Sequence, residues 1–157
     1  MTAFTNRPGT KTAFSFSGLN SLANVTYVAG TAVDFLGITG VTGSCLPLDI
    51  ILELTLTPGT VGGNRQGLLF IQASLDNSVF STGPTSGTTV TDQPNLFRIG
   101  PLPLFTNATL QTGQYSILAI LGFIPRNVKP IIFNDSGAAL AGSGNSCSYQ
   151  VYAGDGT

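Results

Sequence analysis

Between residues 48 and 57 apolar and polar side chains alternate with a period of two. Leu48, Ile50, Leu52, Leu54 and Leu56 fall on one face of an extended chain, and Asp49, Glu53, Thr55 and Thr57 on the other, with Ile51 the exception. Successive side chains of a strand point to opposite faces, so the pattern predicts a strand of an antiparallel sheet buried on one side only. Such a strand needs backbone partners beside it and a second layer over its apolar row. The rest of the sequence offers both, with strands predicted over residues 22–28, 33–38, 67–75, 88–91, 95–99, 115–122, 128–134 and 147–153. Gly, Pro, Asn, Asp and Ser cluster between them, at 58–64, 76–78, 81–87, 134–137 and 142–145. Those residues favour turns because they relax the backbone, remove a donor or bond their own main chain. No long segment repeats its apolar residues at the helical spacing of 3.6, so no helix is expected. The prediction is an all-β fold, an antiparallel β-sandwich. The long Gly-rich crossovers at 57–67 and 80–95 favour jelly-roll or Greek-key wiring over a simple meander.

Composition narrows the setting. The chain has 157 residues, suited to one domain, and only 8% of them are charged, against about 25% in an average soluble domain. Mean hydropathy is +0.31, yet the longest apolar stretch, residues 117–124, is far short of the ~18 residues that mark a membrane span. With no Trp and four Tyr, the aromatic girdles of a membrane barrel are not expected either. What remains is a neutral surface of Thr, Ser, Asn, Gln and Gly. A formal net charge of −1 favours association over a lone monomer, so a homo-oligomer or a part of something larger is expected. The basic residues Arg7, Lys11, Arg65, Arg98, Arg126 and Lys129 are scattered and form no stripe for a nucleic acid. No hydrophobic core follows Met1, so no secretory leader is expected.

Catalytic groups are scarce. The sequence has no His, the commonest general base and transition-metal ligand, and two Cys alone make no ordinary zinc site. Cys45 and Cys147 are read as small buried apolar side chains, with a disulfide as the alternative. No phosphate loop or dinucleotide fingerprint is present. Of the seven carboxylates, Asp49 and Glu53 share a strand face, but at strand rise they stand about 13 Å apart, too far for paired-carboxylate glycoside hydrolysis. Asp76-Asn77-Ser78 and Asn134-Asp135-Ser136 are oxygen-rich, yet neither has the spacing of a calcium loop. Tyr27, Tyr115, Tyr149 and Tyr152 suit either amphipathic strands or sugar stacking as in a lectin. The expectation is a protein that is not an enzyme and holds no cofactor.

Residues 1–20 lack apolar periodicity and read as an extended N-terminal arm, with residues 21–157 as the sandwich domain. Arg7, Pro8 and Lys11 are the arm's candidate interface residues, placed to reach a neighbouring subunit or an acidic partner.

Four blocks then occur in order: Leu48-Asp-Ile-Ile-Leu-Glu-Leu54, Ala73-Ser-Leu-Asp-Asn-Ser-Val-Phe-Ser-Thr-Gly-Pro84, Pro94-Asn-Leu-Phe-Arg-Ile-Gly-Pro-Leu-Pro-Leu104 and Ile131-Ile-Phe-Asn-Asp-Ser-Gly-Ala-Ala-Leu140. This order resembles the decoration (cement) proteins that cover the heads of tailed bacteriophages, over about two-thirds of the chain. The resemblance implies a jelly-roll sandwich on the capsid exterior, a dimer or trimer that bridges copies of the major capsid protein and is assembled in the host bacterial cytoplasm. Other expected roles are a tail or fibre module of the virion, or a jelly-roll module that binds a glycan.

Overall fold

The apolar row of residues 50–56 is the spine of the molecule. A computed structural model describes residues 4–35, 47–84, 87 and 95–156. Among the described residues the elements run β1 (Phe4–Pro8), β2 (Thr12–Ala13), β3 (Thr26–Ala29), β4 (Val33–Asp34), β5 (Pro47–Leu56), β6 (Gln66–Ser74), β7 (Phe97–Pro103), β8 (Gln111–Ser116), α1 (Ile117–Leu121), β9 (Asn127–Asp135) and β10 (Ser146–Gly156). They form two antiparallel sheets. The first has the order β1-β10-β5-β8 with β2 also on β10, and the second β3-β9-β6-β7 with β4 also on β9. β1 and β2 pair with separate stretches of β10, and β3 and β4 with separate stretches of β9. Each pair therefore acts as one interrupted strand, and each sheet is four strands wide. The links β2–β3, β4–β5, β5–β6, β7–β8, β8–β9 and β9–β10 all pass from one sheet to the other, while β6 and β7 are neighbours. This is the wiring of a jelly roll.

The sandwich is held by one core. Ile50, Leu52, Leu54 and Leu56 are fully buried and join Leu69, Ile71, Val128 and Ile132 of the second sheet. Leu48, at the start of the predicted row, is exposed at the sheet's end, and Ile51 points outward and is half-buried. The outer faces differ. On the second sheet Tyr27 packs against Phe133 and Phe70, with ring centroids 4.4 and 6.4 Å apart. The link from β6 to β7 folds back over them: Lys129 Nζ lies 4.6 Å from the Phe80 ring centroid, Gln72 donates to the Ser81 carbonyl, and the Gly87 amide donates to the Tyr27 carbonyl. The described part of the link thus lies over some of the second sheet's outer face, whereas the first sheet presents an open polar face.

Two sequence expectations need correction. Residues 117–121, read as part of a buried strand, form a helical turn. Its caps explain the change: the Ser116 hydroxyl accepts from the Ala119 amide at 2.9 Å, the Asp49 carboxylate accepts from the Leu118 amide at 3.1 Å, and Gly122 closes the turn at φ 76°. With both ends satisfied, even a short turn holds, and its apolar composition gave no hint of it. The N-terminal residues are extended, as the arm reading expects, but β1 and β2 lie along the chain's own β10. Phe14 and Leu19 are buried in the core, so the sandwich takes in residues that the reading assigned to the arm. Cys147 is a buried free thiol, pushed up to about 12 by that burial. Cys45 and the strand expected at 88–91 lie outside the described residues. No described helix is long and apolar enough to cross a membrane.

At one end of the sandwich four links meet: residues 14–25, 57–65, 104–110 and 136–145. Asn134, fully buried, ties two of them together by donating to the carbonyls of Leu22 at 2.9 Å and Ala138 at 2.8 Å. Gly137 sits in the same turn at φ 98°, where an added Cβ would lie 2.6 Å from the backbone of Gly62. Gly63, at φ 55°, faces open space. Gly63→Ala therefore carries only the left-handed penalty of about 1–2 kcal/mol. Gly137→Ala adds a backbone clash and is expected to cost upward of about 3 kcal/mol. Urea unfolding of the two variants measures the gap, and equal losses would show that the 62–137 contact does not constrain the turn.

Candidate interaction surfaces

Of the residues singled out at the N-terminus, the structure describes the backbones of Arg7 and Pro8 and the side chains of Pro8 and Lys11. The backbones of Arg7 and Pro8 pair with Ala153 and Tyr152 at the edge of the first sheet, and Pro8 is exposed. The Arg7 side chain lies outside the described residues. Lys11 is engaged within the chain: its ammonium pairs with Glu53, which also accepts from the Gln114 amide at 2.9 Å. Those bonds, Lys11 first, hold the Glu53 carboxyl below its ordinary range. Between β1 and β2 the chain bulges over the sheet, and Gln150 donates to the Gly9 carbonyl at 2.8 Å.

The open face of the first sheet carries a groove of about 450 Å³ lined by residues including Asp49, Gln114, Ser116, Gln150 and Tyr152. Its carboxylate is already structural, since Asp49 accepts from the Ser116 hydroxyl at 2.6 Å as well as from the amide of α1. Glu53 lies on the same face, tied to Lys11. The two carboxylates weighed as a hydrolytic pair thus serve separate local bonds. Of the four tyrosines, Tyr27 and Tyr149 are buried. Tyr115 sits between the sheets with its hydroxyl donating to the Pro101 carbonyl at 2.8 Å, and burial pushes it up to about 12. Tyr152 is the aromatic most open to the groove.

The opposite character appears at the end of the sandwich away from Gly137. Here the loop after α1 meets the turn after β6. Leu75 is 95% and Val79 75% exposed, and Phe97, Leu118, Ile120 and Phe123 are exposed too. The Phe97 and Phe123 rings meet edge to face at 5.7 Å. A groove of about 480 Å³ runs between Leu75 and Val79 on one side and Phe123, Ile124 and Pro125 on the other. The turn displaying Leu75 and Val79 is fixed by Asp76, whose carboxylate accepts from the Ser78 hydroxyl, the amides of Ser78 and Val79, and the Ser74 hydroxyl. These bonds hold Asp76 far below the usual carboxylate range. The oxygen-rich turn is therefore closed by its own donors. In the other such turn Asp135 accepts from Asn64 and Gln66. No three Cys, Asp or Glu side chains converge among the described residues.

The sequence reading missed this apolar end, because it placed Leu75 and residues 117–124 in strands.

No protein-family model matches the chain, and no curated protein matches it.

Glu53 gives the polar face a measurable pH signature. Its carboxyl is held lower in the folded chain than in the unfolded one, so its contribution is complete above the unfolded value and fades as pH falls through the folded one. Lys11 is largely solvent-exposed and Glu53 partly so, which limits the effect to under about 1 kcal/mol. Glu53→Gln should therefore lower the melting temperature slightly at pH 7, and the difference should shrink as the pH falls through the acid range. A constant offset across that range would mean that the ion pair contributes nothing.

Proposed function

We propose that this protein is a structural component of a tailed-phage particle, a decoration protein that sits on the capsid exterior and bridges copies of the major capsid protein. The observation that carries the reading is the apolar end. Leu75, Val79, Phe97 and Phe123, large apolar side chains exposed around one groove, mark a surface meant for burial, and a chain with so little charge is suited to an assembly. The sequence resemblance points to the kind of assembly. Its blocks coincide with β5, with the end of β6 and the turn after it, with β7, and with β9 and its following turn. The jelly roll is an architecture of viral capsid domains and of lectins alike. On this reading the chain performs no catalysis: Asp49, Glu53, Asp76 and Asp135 each serve a local bond that fixes a turn, a cap or a sheet face.

The glycan-binding role draws support from one feature, the groove holding Gln114, Gln150 and Tyr152. Amides and a tyrosine suit sugar hydroxyls and the apolar face of a ring.

Mixing the purified chain with phage heads stripped of accessory proteins tests the first reading. The expected result is saturable co-sedimentation at a fixed ratio to the major capsid protein and greater resistance of the heads to heat. Absence of binding, with a rise in melting temperature on adding a glycan from a broad neutral panel, would replace it with the second reading.

A further inference from the structure

We propose that the apolar end formed by the turn after β6 and the segment around α1 is the contact between two copies of this chain, related by a two-fold axis. The proposal rests on the assembly reading only in taking this surface as one made for burial.

Three observations select a second copy as the occupant. The first is area. Taking roughly 200 Å² for a fully exposed large side chain, the exposed parts of Leu75, Val79, Phe97 and Phe123 amount to about 500 Å². A specific interface buries ~800 Å² per partner, so this patch with a polar rim around it approaches one half of a dimer contact.

The second is shape. Leu75 and Val79 stand on a ridge beside a groove walled by Phe123, Ile124 and Pro125. A two-fold contact is self-complementary, each patch meeting its own image. Ridge and groove side by side let each copy's ridge enter the other's groove. The bonds around Asp76 hold the ridge in place before association, which lowers the ordering cost of binding.

The third is charge. Arg126, beside the groove, pairs with Asp34 at 3.1 Å, and Asp76 is satisfied by its own turn. Arg126 is the charged residue lining the groove and already has a partner, so a strongly charged occupant would find little there to pair with. An identical patch demands nothing else, and at a net charge of −1 two copies repel each other weakly.

Sedimentation velocity of the full chain over a wide concentration range tests the proposal. The expected result is a dimer in reversible equilibrium. Leu75→Asp with Val79→Asp should weaken it by at least ~100-fold, because a two-fold contact loses each side chain twice. Both residues are so exposed that the far-ultraviolet spectrum and melting temperature of the monomer should be preserved. Phe105→Asp, 76% exposed at the opposite end, should leave the dimer intact. A chain that stays monomeric at every concentration, or a dimer that survives the double substitution, overturns the proposal. So does a monomer whose binding to phage heads is lost on the double substitution, which would assign the patch to the capsid protein. A dimer that needs Leu75 and Val79 yet ignores phage heads upholds the contact and removes the virion reading.

Discussion

The burial of the β5 row between the sheets is the constraint on which the rest of the structure depends. Ile50, Leu52, Leu54 and Leu56 have no exposed surface, and each fully buried side chain of this kind contributes about 1.5–3 kcal/mol. β5 is also an inner strand of its sheet, paired with β10 on one side and β8 on the other. A slip of one residue would turn the whole apolar row outward. The register of the first sheet is therefore fixed by the same residues that fix the distance between the sheets.

From that spine the surfaces follow. On the second sheet Tyr27 is buried and Phe70 and Phe133 are half-buried, with Phe80, Ser81 and Gly87 of the link from β6 to β7 lying against that face. The first sheet keeps an outer face of Ser, Thr, Gln and carboxylate groups whose bonds are largely met within the chain, as in the set formed by Lys11, Glu53 and Gln114. At one end Asn134 and the close approach of residues 62 and 137 lock the links together. At the other, apolar side chains remain in water. Phe105 and Leu110 are exposed at the locked end too; the other end differs in the apolar groove lined by Leu75, Val79 and Phe123, and that groove underlies both the assembly reading and the two-fold contact proposed for it.

Legibility in the sequence was uneven for physical reasons. The period-two row at 48–57 and the apolar runs at 67–75 and 128–134 were readable because a half-buried or buried strand leaves a local pattern. The helical turn at 117–121 was not, because five apolar residues in a row fit a strand as well as a helix. What decided it was the Asp49 carboxylate reaching in from β5, 69 residues away in sequence. The N-terminus was similarly opaque: nothing local says that residues 4–8 will find β10 at the far end of the chain. Lys11 looked like a free cation until the fold brought Glu53 beside it.

The sequence by itself determined that the chain is all-β, that its strands pack as a sandwich with long crossovers, and that its surface carries little charge. Those properties are sums over residues or periods of two, which need no knowledge of distant neighbours. Tertiary structure alone decided the strand order, the covering of some of the second sheet's outer face, and the gathering of Leu75, Val79, Phe97 and Phe123 at one end. These depend on contacts between segments far apart in the chain, and an exposed leucine reads the same in sequence as a buried one.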